Sequence, residues 1–197
     1  MAAQNLAAGA QIKVFTSNST RTVLDALTPA FERASGHKVS ITADPAKVMM
    51  ERIKAGETGD VVILGTSSVD ELAKAGLVDP KTRRPFARCR VGIAVLKGAP
   101  KPDIGTVETF RRALLKAKSI CHTEHGASGM YVPVLLERLG ILDQMKPKIV
   151  TRPGGYIARV VVEGQAELAI QQIVELLAVP GVDLVGPIPD EVQKTFA

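Results

Sequence analysis

Tryptophan is absent from the 197 residues, and aromatic side chains make up only 4% of them. The interior must therefore be built from Val, Ile, Leu, Ala and Met, and a hydrophobic content of 46% is enough for a sizeable core. Cysteine is scarce as well. Cys89 and Cys121 are too few for a disulfide framework. They can pair in an oxidising compartment or pack as small apolar residues, and packing is expected because both lie in strand-like runs. No apolar run approaches the roughly 20 residues that span a bilayer, so no transmembrane helix is expected. The opening MAAQNLAAGAQ lacks a basic start and a long apolar stretch, so no signal peptide is read there and the compartment stays open. No P-loop, dinucleotide fingerprint or G-x-S-x-G elbow occurs, which leaves no recognisable nucleophile–base pair and points away from an enzyme.

What is present begins with charge. Lys and Arg number 25 against 20 for Asp and Glu, a formal +5. That balance suits an anionic partner through long-range attraction. The basic residues are scattered, however: Arg83-Arg84 and Arg111-Arg112 are only pairs, and no basic run alternates with aromatics, so no nucleic-acid partner is expected.

Strand-like and helix-like segments alternate along the chain. Residues 12–16, 39–42, 61–64, 119–123, 149–150, 168–173 and 182–185 read as short buried strands. Val23, Leu24, Leu27 and Phe31 recur at helical spacing and predict an inward helix face. Asp44-Pro45 reads as an N-cap followed by the first helical position, with Val48, Met49 and Ile53 inward. Further helices are read at 69–75, around Phe110, Leu114 and Leu115, at 130–139 and at 157–162. The extended run 86–96 can carry the chain from one lobe to another. The pattern predicts an α/β fold with mostly parallel sheets.

Ligands of such sheets sit at the carboxyl ends of strands beside helix N-termini, whose free N–H groups suit anions. Four turns are candidates. Ser17, Asn18, Ser19 and Thr20, followed by Arg21, gather hydroxyls and an amide, although capping by Ser17 or Ser19 explains part of that. The turn at 43–47 carries Asp44, which disfavours an anion, and Lys47, which offsets it. Gly126, Ala127, Ser128 and Gly129 are small enough for close backbone approach, or simply form a turn. Pro153, Gly154, Gly155 and Tyr156 can form a backbone nest or an ordinary loop. Cys121, His122, Glu124 and His125 are metal-ligand types without an established metal spacing, so no metal and no cofactor is expected.

From residue 12 to about 190 the chain resembles the molybdate-binding family of type 2 solute-binding proteins. The resemblance lies in IKVFTSNSTRTVLDALTPAFERASGHKV, MMERIKAGETGDVVIL, SVDELAKAGLV, HTEHGASGMYVPVLLERLGI, VVEGQAELAI and VDLVGPIPDEVQ, and in their order and spacing. It implies a two-lobed fold with a mixed, mostly parallel sheet in each lobe, divided as tail 1–11, first lobe 12–85, second lobe 86–178 and a shortened return segment 179–197. It implies a small anion held between the lobes, a periplasmic location, a monomer, and delivery to an ABC-type permease of the inner membrane. Carried over by position, the ligand residues are Ser17, Asn18, Ser19, Thr20, Ser128, Gly129, Gly155 and Tyr156. Two positions depart from the family. Asp44, Pro45, Ala46 and Lys47 replace a Ser-rich turn, and Gln172 stands where the family places Tyr. Neutral hydroxyls are lost while an amide and a cation are gained. The expected ligand is thus a small anion, either a molybdate-like oxyanion or, given these two departures, an anion of another shape such as an organic carboxylate, with Lys47 and Gln172 among its contacts. The same fold also serves as the sensing domain of LysR-type regulators, which is the alternative function.

Overall fold

The computed structural model describes residues 9–196, so most of the tail expected at 1–11 lies outside the described residues. The chain forms two compact units that divide between Arg83 and Arg84.

In the first unit β1 (Gln11–Ser17) lies between β2 (Lys38–Asp44) and β3 (Val61–Ile63), all parallel. Parallel neighbours require crossover connections. These are α1 (Asn18–Ser35) between β1 and β2, and α2 (Ala46–Lys54) between β2 and β3; α3 (Thr66–Lys74) follows. Phe15, Met49, Met50, Ile53, Leu64 and Leu72 form the core. Two expectations change here. The apolar stripe of α1 is not an inward face: the helix has no buried residue, and Leu27 and Phe31 are about half exposed. Asp44 does not cap α2. It is the last residue of β2, Pro45 holds the cap position without a side-chain bond, and the Asp44 carboxylate is drawn instead into an ion pair with Arg52.

The second unit runs β4 (Cys89–Leu96), α4 (Val107–Lys116), β5 (Ile120–Thr123), α5 (Ala127–Arg138), α6 (Leu142–Met145), β6 (Ile149–Arg152), α7 (Ala158–Val162), β7 (Leu168–Gln172), α8 (Ile173–Leu177), β8 (Val182–Pro187) and β9 (Thr195–Phe196). Its sheet has the order β6-β5-β7-β4-β8, with β9 also on β4. β5, β6 and β7 are parallel, and β4 is antiparallel to its neighbours. Alternation of side chains along the strands separates two cores. Ile120, Leu168 and Ile170 pack with Phe110 and Leu135 on one face. Cys121 and Ala169 pack with Ile157 and Val160 on the other. Residues beyond 178 belong to this unit. Gln193 donates to Val91 O at 3.0 Å and Ile188 O at 3.1 Å and accepts from Val91 N at 2.8 Å, while Arg90 pairs with Asp190. Both cysteines are free, Cys121 buried and Cys89 half-buried.

Candidate functional site

Register brings three turns of the second unit together. Thr123 faces Arg152 across β5–β6, and Cys121 faces Ala169 across β5–β7, so the carboxyl ends of all three parallel strands share one sheet edge. The turns are tied directly: Glu124 N donates to Arg152 O at 2.8 Å and His125 N to Pro153 O at 3.1 Å. Of the seven buried polar side chains among the described residues, six lie at this edge or in the helices leaving it: His122, Thr123, Ser128, Gln171, Gln172 and Glu175. Buried polar groups are normally paired. Here Thr123 Oγ1 and Ser128 Oγ have no partner.

The two unpaired hydroxyls both lie at the start of α5. That helix begins at Ala127, three residues earlier than its apolar pattern suggests, so Ser128 and Gly129 lie in its first turn rather than in a loop. Its cap residue is Gly126, which offers no side-chain bond to the first N–H groups. The first turn sits hard against β5: a Cβ on Gly129 would lie 1.8 Å from Thr123 O, and one on Gly126 would lie 2.4 Å from Thr123 Oγ1. The result is a helix N-terminus with uncapped donors, partial positive charge and two spare hydroxyls, which suits an anion. If those hydroxyls are kept for a ligand, removing one costs the fold nothing. Ser128→Ala is therefore expected to hold or raise the melting temperature, because an unsatisfied buried hydroxyl costs about 1–3 kcal/mol. A melt lowered by several degrees would mean that Ser128 is structural.

The other predicted residues fall into distinct arrangements. Gly155 is in the left-handed region, at φ 83°, where glycine is needed, and its carbonyl accepts from Gln171 Nε2 at 2.9 Å. Gln171 Oε1 in turn accepts from Ile157 N at 2.9 Å. Gln171 thus shapes the turn carrying Tyr156, which is half-buried with Arg159 6.0 Å above its ring. Gln172 is buried at the end of β7 and donates to Glu175 at 3.4 Å. Burial pushes the Glu175 carboxyl up to about 8, against the N–H of Gln172, which favours its charged form. His122 moves the other way: burial lowers its pKa, opposed by its bond to Thr123 O and by Glu124.

In the first unit Ser17 Oγ and Ser19 Oγ lie 2.8 Å apart, and Thr20 Oγ1 donates to Ser17 O at 3.1 Å and also contacts Thr16. Ser17 holds the cap position of α1, as the simplest reading of that turn expects, but no side-chain cap bond is made. Asn18 is its first residue and is half-buried. Arg21 is committed to Asp25 and Ile41 O. Lys47 is exposed on α2. Sequence reasoning missed Thr123, Gln171 and Glu175. The available signal was the polar ending of two otherwise apolar strands, ICHT and LAIQQ. Among the described residues no three His, Cys, Asp or Glu side chains converge on a metal position.

Comparison with known proteins agrees with this frame. A Pseudomonas aconitate isomerase is 34% identical over 189 residues, covering 93% of this chain and 72% of that protein. The sulfate-binding protein of Mycobacterium tuberculosis superposes with a TM-score of 0.73 at 20% identity, over 90% of this chain and 71% of its own. The periplasmic molybdate-binding protein of Azotobacter vinelandii superposes with a TM-score of 0.68 at 18% identity, over 94% and 84%. These two likenesses give the two-lobed fold of periplasmic binding proteins. The sequence itself matches the bacterial extracellular solute-binding protein family over residues 12–197, and the chain belongs to that family.

Proposed function

We propose that this protein is the binding component of an ABC-type importer and that its ligand is a small organic polycarboxylate. The observation that carries the reading is the pair of unpartnered hydroxyls, Thr123 Oγ1 and Ser128 Oγ, at the uncapped start of α5. Neutral donors at a helix N-terminus bind a carboxylate without the desolvation cost of a buried ion pair. The choice of a carboxylate over a tetrahedral oxyanion is supported by Lys47 and Gln172, where hydroxyls are expected in molybdate-binding relatives. It is supported too by the relative named for aconitate, a tricarboxylate. The turn at Gly155 and Tyr156, on the same sheet edge, is proposed to supply further donors. The family's extracellular character supports work outside the cytoplasm, with a membrane permease taking the ligand.

Isothermal titration with molybdate, sulfate, citrate and trans-aconitate tests this. Saturable heat is expected with a polycarboxylate, and Ser128→Ala is expected to weaken it about tenfold, the equivalent of one hydrogen bond to a charged group. Tight molybdate binding with no carboxylate response would sink the reading. A second reading, turnover of the same ligand, is favoured by the isomerase relative.

A further inference from the structure

We propose that Arg159 is a specificity-determining residue that takes a second carboxylate of the ligand, so that the site selects polycarboxylates over monocarboxylates; this rests on the ligand class proposed above. The placement follows from one face of β5. Cys121 Sγ lies 3.7 Å from Ile157 O, so the turn between β6 and α7 sits on the face of β5 that Cys121 occupies. Side chains two residues apart on a strand share a face, so Thr123 belongs to that face as well, roughly 7 Å further along. Its hydroxyl has no partner and lies under the first turn of α5, where a Cβ on Gly129 would come 2.5 Å from it. Gln171, on the same face of β7 as Ala169, closes the other side. Its amide donates to Gly155 O and accepts from Ile157 N, both at 2.9 Å, and so fixes the turn against the sheet. The spare hydroxyl and the turn carrying Tyr156 are thereby neighbours on a single strand face.

Arg159 belongs to the helix that leaves this turn. Tyr156 packs against the core that Cys121 and Ile157 share, and the Arg159 guanidinium is 6.0 Å above its ring. Among the described residues that guanidinium makes no ion pair and no hydrogen bond, and Glu163, four residues on, does not pair with it. A ring face holds a guanidinium without using its N–H groups, so all five donors stay open. A carboxylate is the group that their fork fits, through two parallel N–H bonds. Arg152, the other arginine of this edge, is already engaged with Thr151 O and Gln165. One carboxylate thus goes to the hydroxyls and N–H groups at the start of α5, and another to Arg159. Two anchors set apart along a strand fit a ligand with carboxylates at both ends of a short carbon chain.

Isothermal titration of the full chain tests this with trans-aconitate and citrate, which carry three carboxylates, and with crotonate, which carries one and is read by competition. Arg159→Gln is expected to weaken the tricarboxylates about thirtyfold, the loss of hydrogen bonds to a charged group, and to leave crotonate within about twofold. Arg159→Lys, which keeps the charge and loses the fork, should fall between the wild type and Arg159→Gln, and it serves alone if thermal melts show that the glutamine variant does not fold. Arg112→Gln removes the same charge from the exposed side of α4 and should change no affinity by more than about twofold. Unchanged tricarboxylate affinity in Arg159→Gln, an equal loss in Arg112→Gln, or an equal loss for crotonate overturns the proposal and leaves the carboxylate reading standing. Failure of all three acids to bind the wild type overturns both.

Discussion

Gly129→Ala is expected to cost about 3 kcal/mol of stability, toward the upper end for overpacking a close-packed site, and to abolish ligand binding. The added Cβ would lie 1.8 Å from Thr123 O, a backbone atom fixed in the β5 ladder that no rotamer change can move. Either α5 lifts off β5 or the strand end distorts, and both displace Ser128 and the first N–H groups of the helix. For a unit of this size the melting temperature should fall by more than about 10 °C. Gly126→Ala is the control. Its Cβ would meet Thr123 Oγ1 at 2.4 Å, the end of a side chain that can rotate, and about 1 kcal/mol or less is expected. Equal effects of the two substitutions, read by denaturant melts, would show that the close approach of α5 to β5 is not what glycine provides here.

Glu175→Gln should change how stability depends on pH more than it changes stability itself. The carboxyl is raised from 4.5 to about 8 in the folded protein, so between those values the native state holds a proton that the unfolded state has released. Stability from this group is complete below the unfolded value and is lost as pH rises through the folded one, with a slope of about 1.4 kcal/mol per pH unit inside the window. His122 has the opposite sign. Its depressed pKa makes the protein less stable as pH falls below the ordinary histidine value near 6.5. From pH 6.5 to 8 the glutamate slope outweighs what remains of the histidine one, and the wild type is expected to lose roughly 1 kcal/mol there through Glu175. The amide oxygen that the substitution introduces still accepts the Gln172 N–H and does not titrate, so this loss should vanish in the variant. Parallel curves for the two proteins in urea melts at pH 6.5 and 8 would show that Glu175 is ionised throughout.

Local features were legible where a single physical cause dominated. Val14 and Phe15, and Ile120 to Thr123, are strands because short β-branched and aromatic runs stop at turn-forming polar residues. The start of α5 was hidden because its first turn is built from Ala127, Ser128 and Gly129, small residues whose value is how closely they approach β5, not apolar periodicity. α8 was hidden in the same way: LAIQQIVELL is apolar with only a short polar interruption, and the Gln172–Glu175 contact shows where strand turns into helix. Asp44 misled because an acidic residue before proline is also a good partner for an arginine two helical turns on. Gln171 and Glu175 were missed because their partners, Gly155 O and the Gln172 N–H, are set by folded geometry.

The interior placement of β4 in its sheet bears on how the second unit comes together in time. Cys89–Leu96 is made first in this unit, yet the residues it pairs with arrive much later: Gln193 clasps Val91 across a separation of 102 residues. The first unit needs no such delay, since Phe15 meets its partner strands within about fifty residues. Long loop closures slow folding. As the chain leaves the ribosome, β4 must therefore wait with exposed apolar edges while β1, β2 and β3 can already be assembled. The interval before Gln193 appears is when this protein is most exposed to aggregation and most in need of a chaperone.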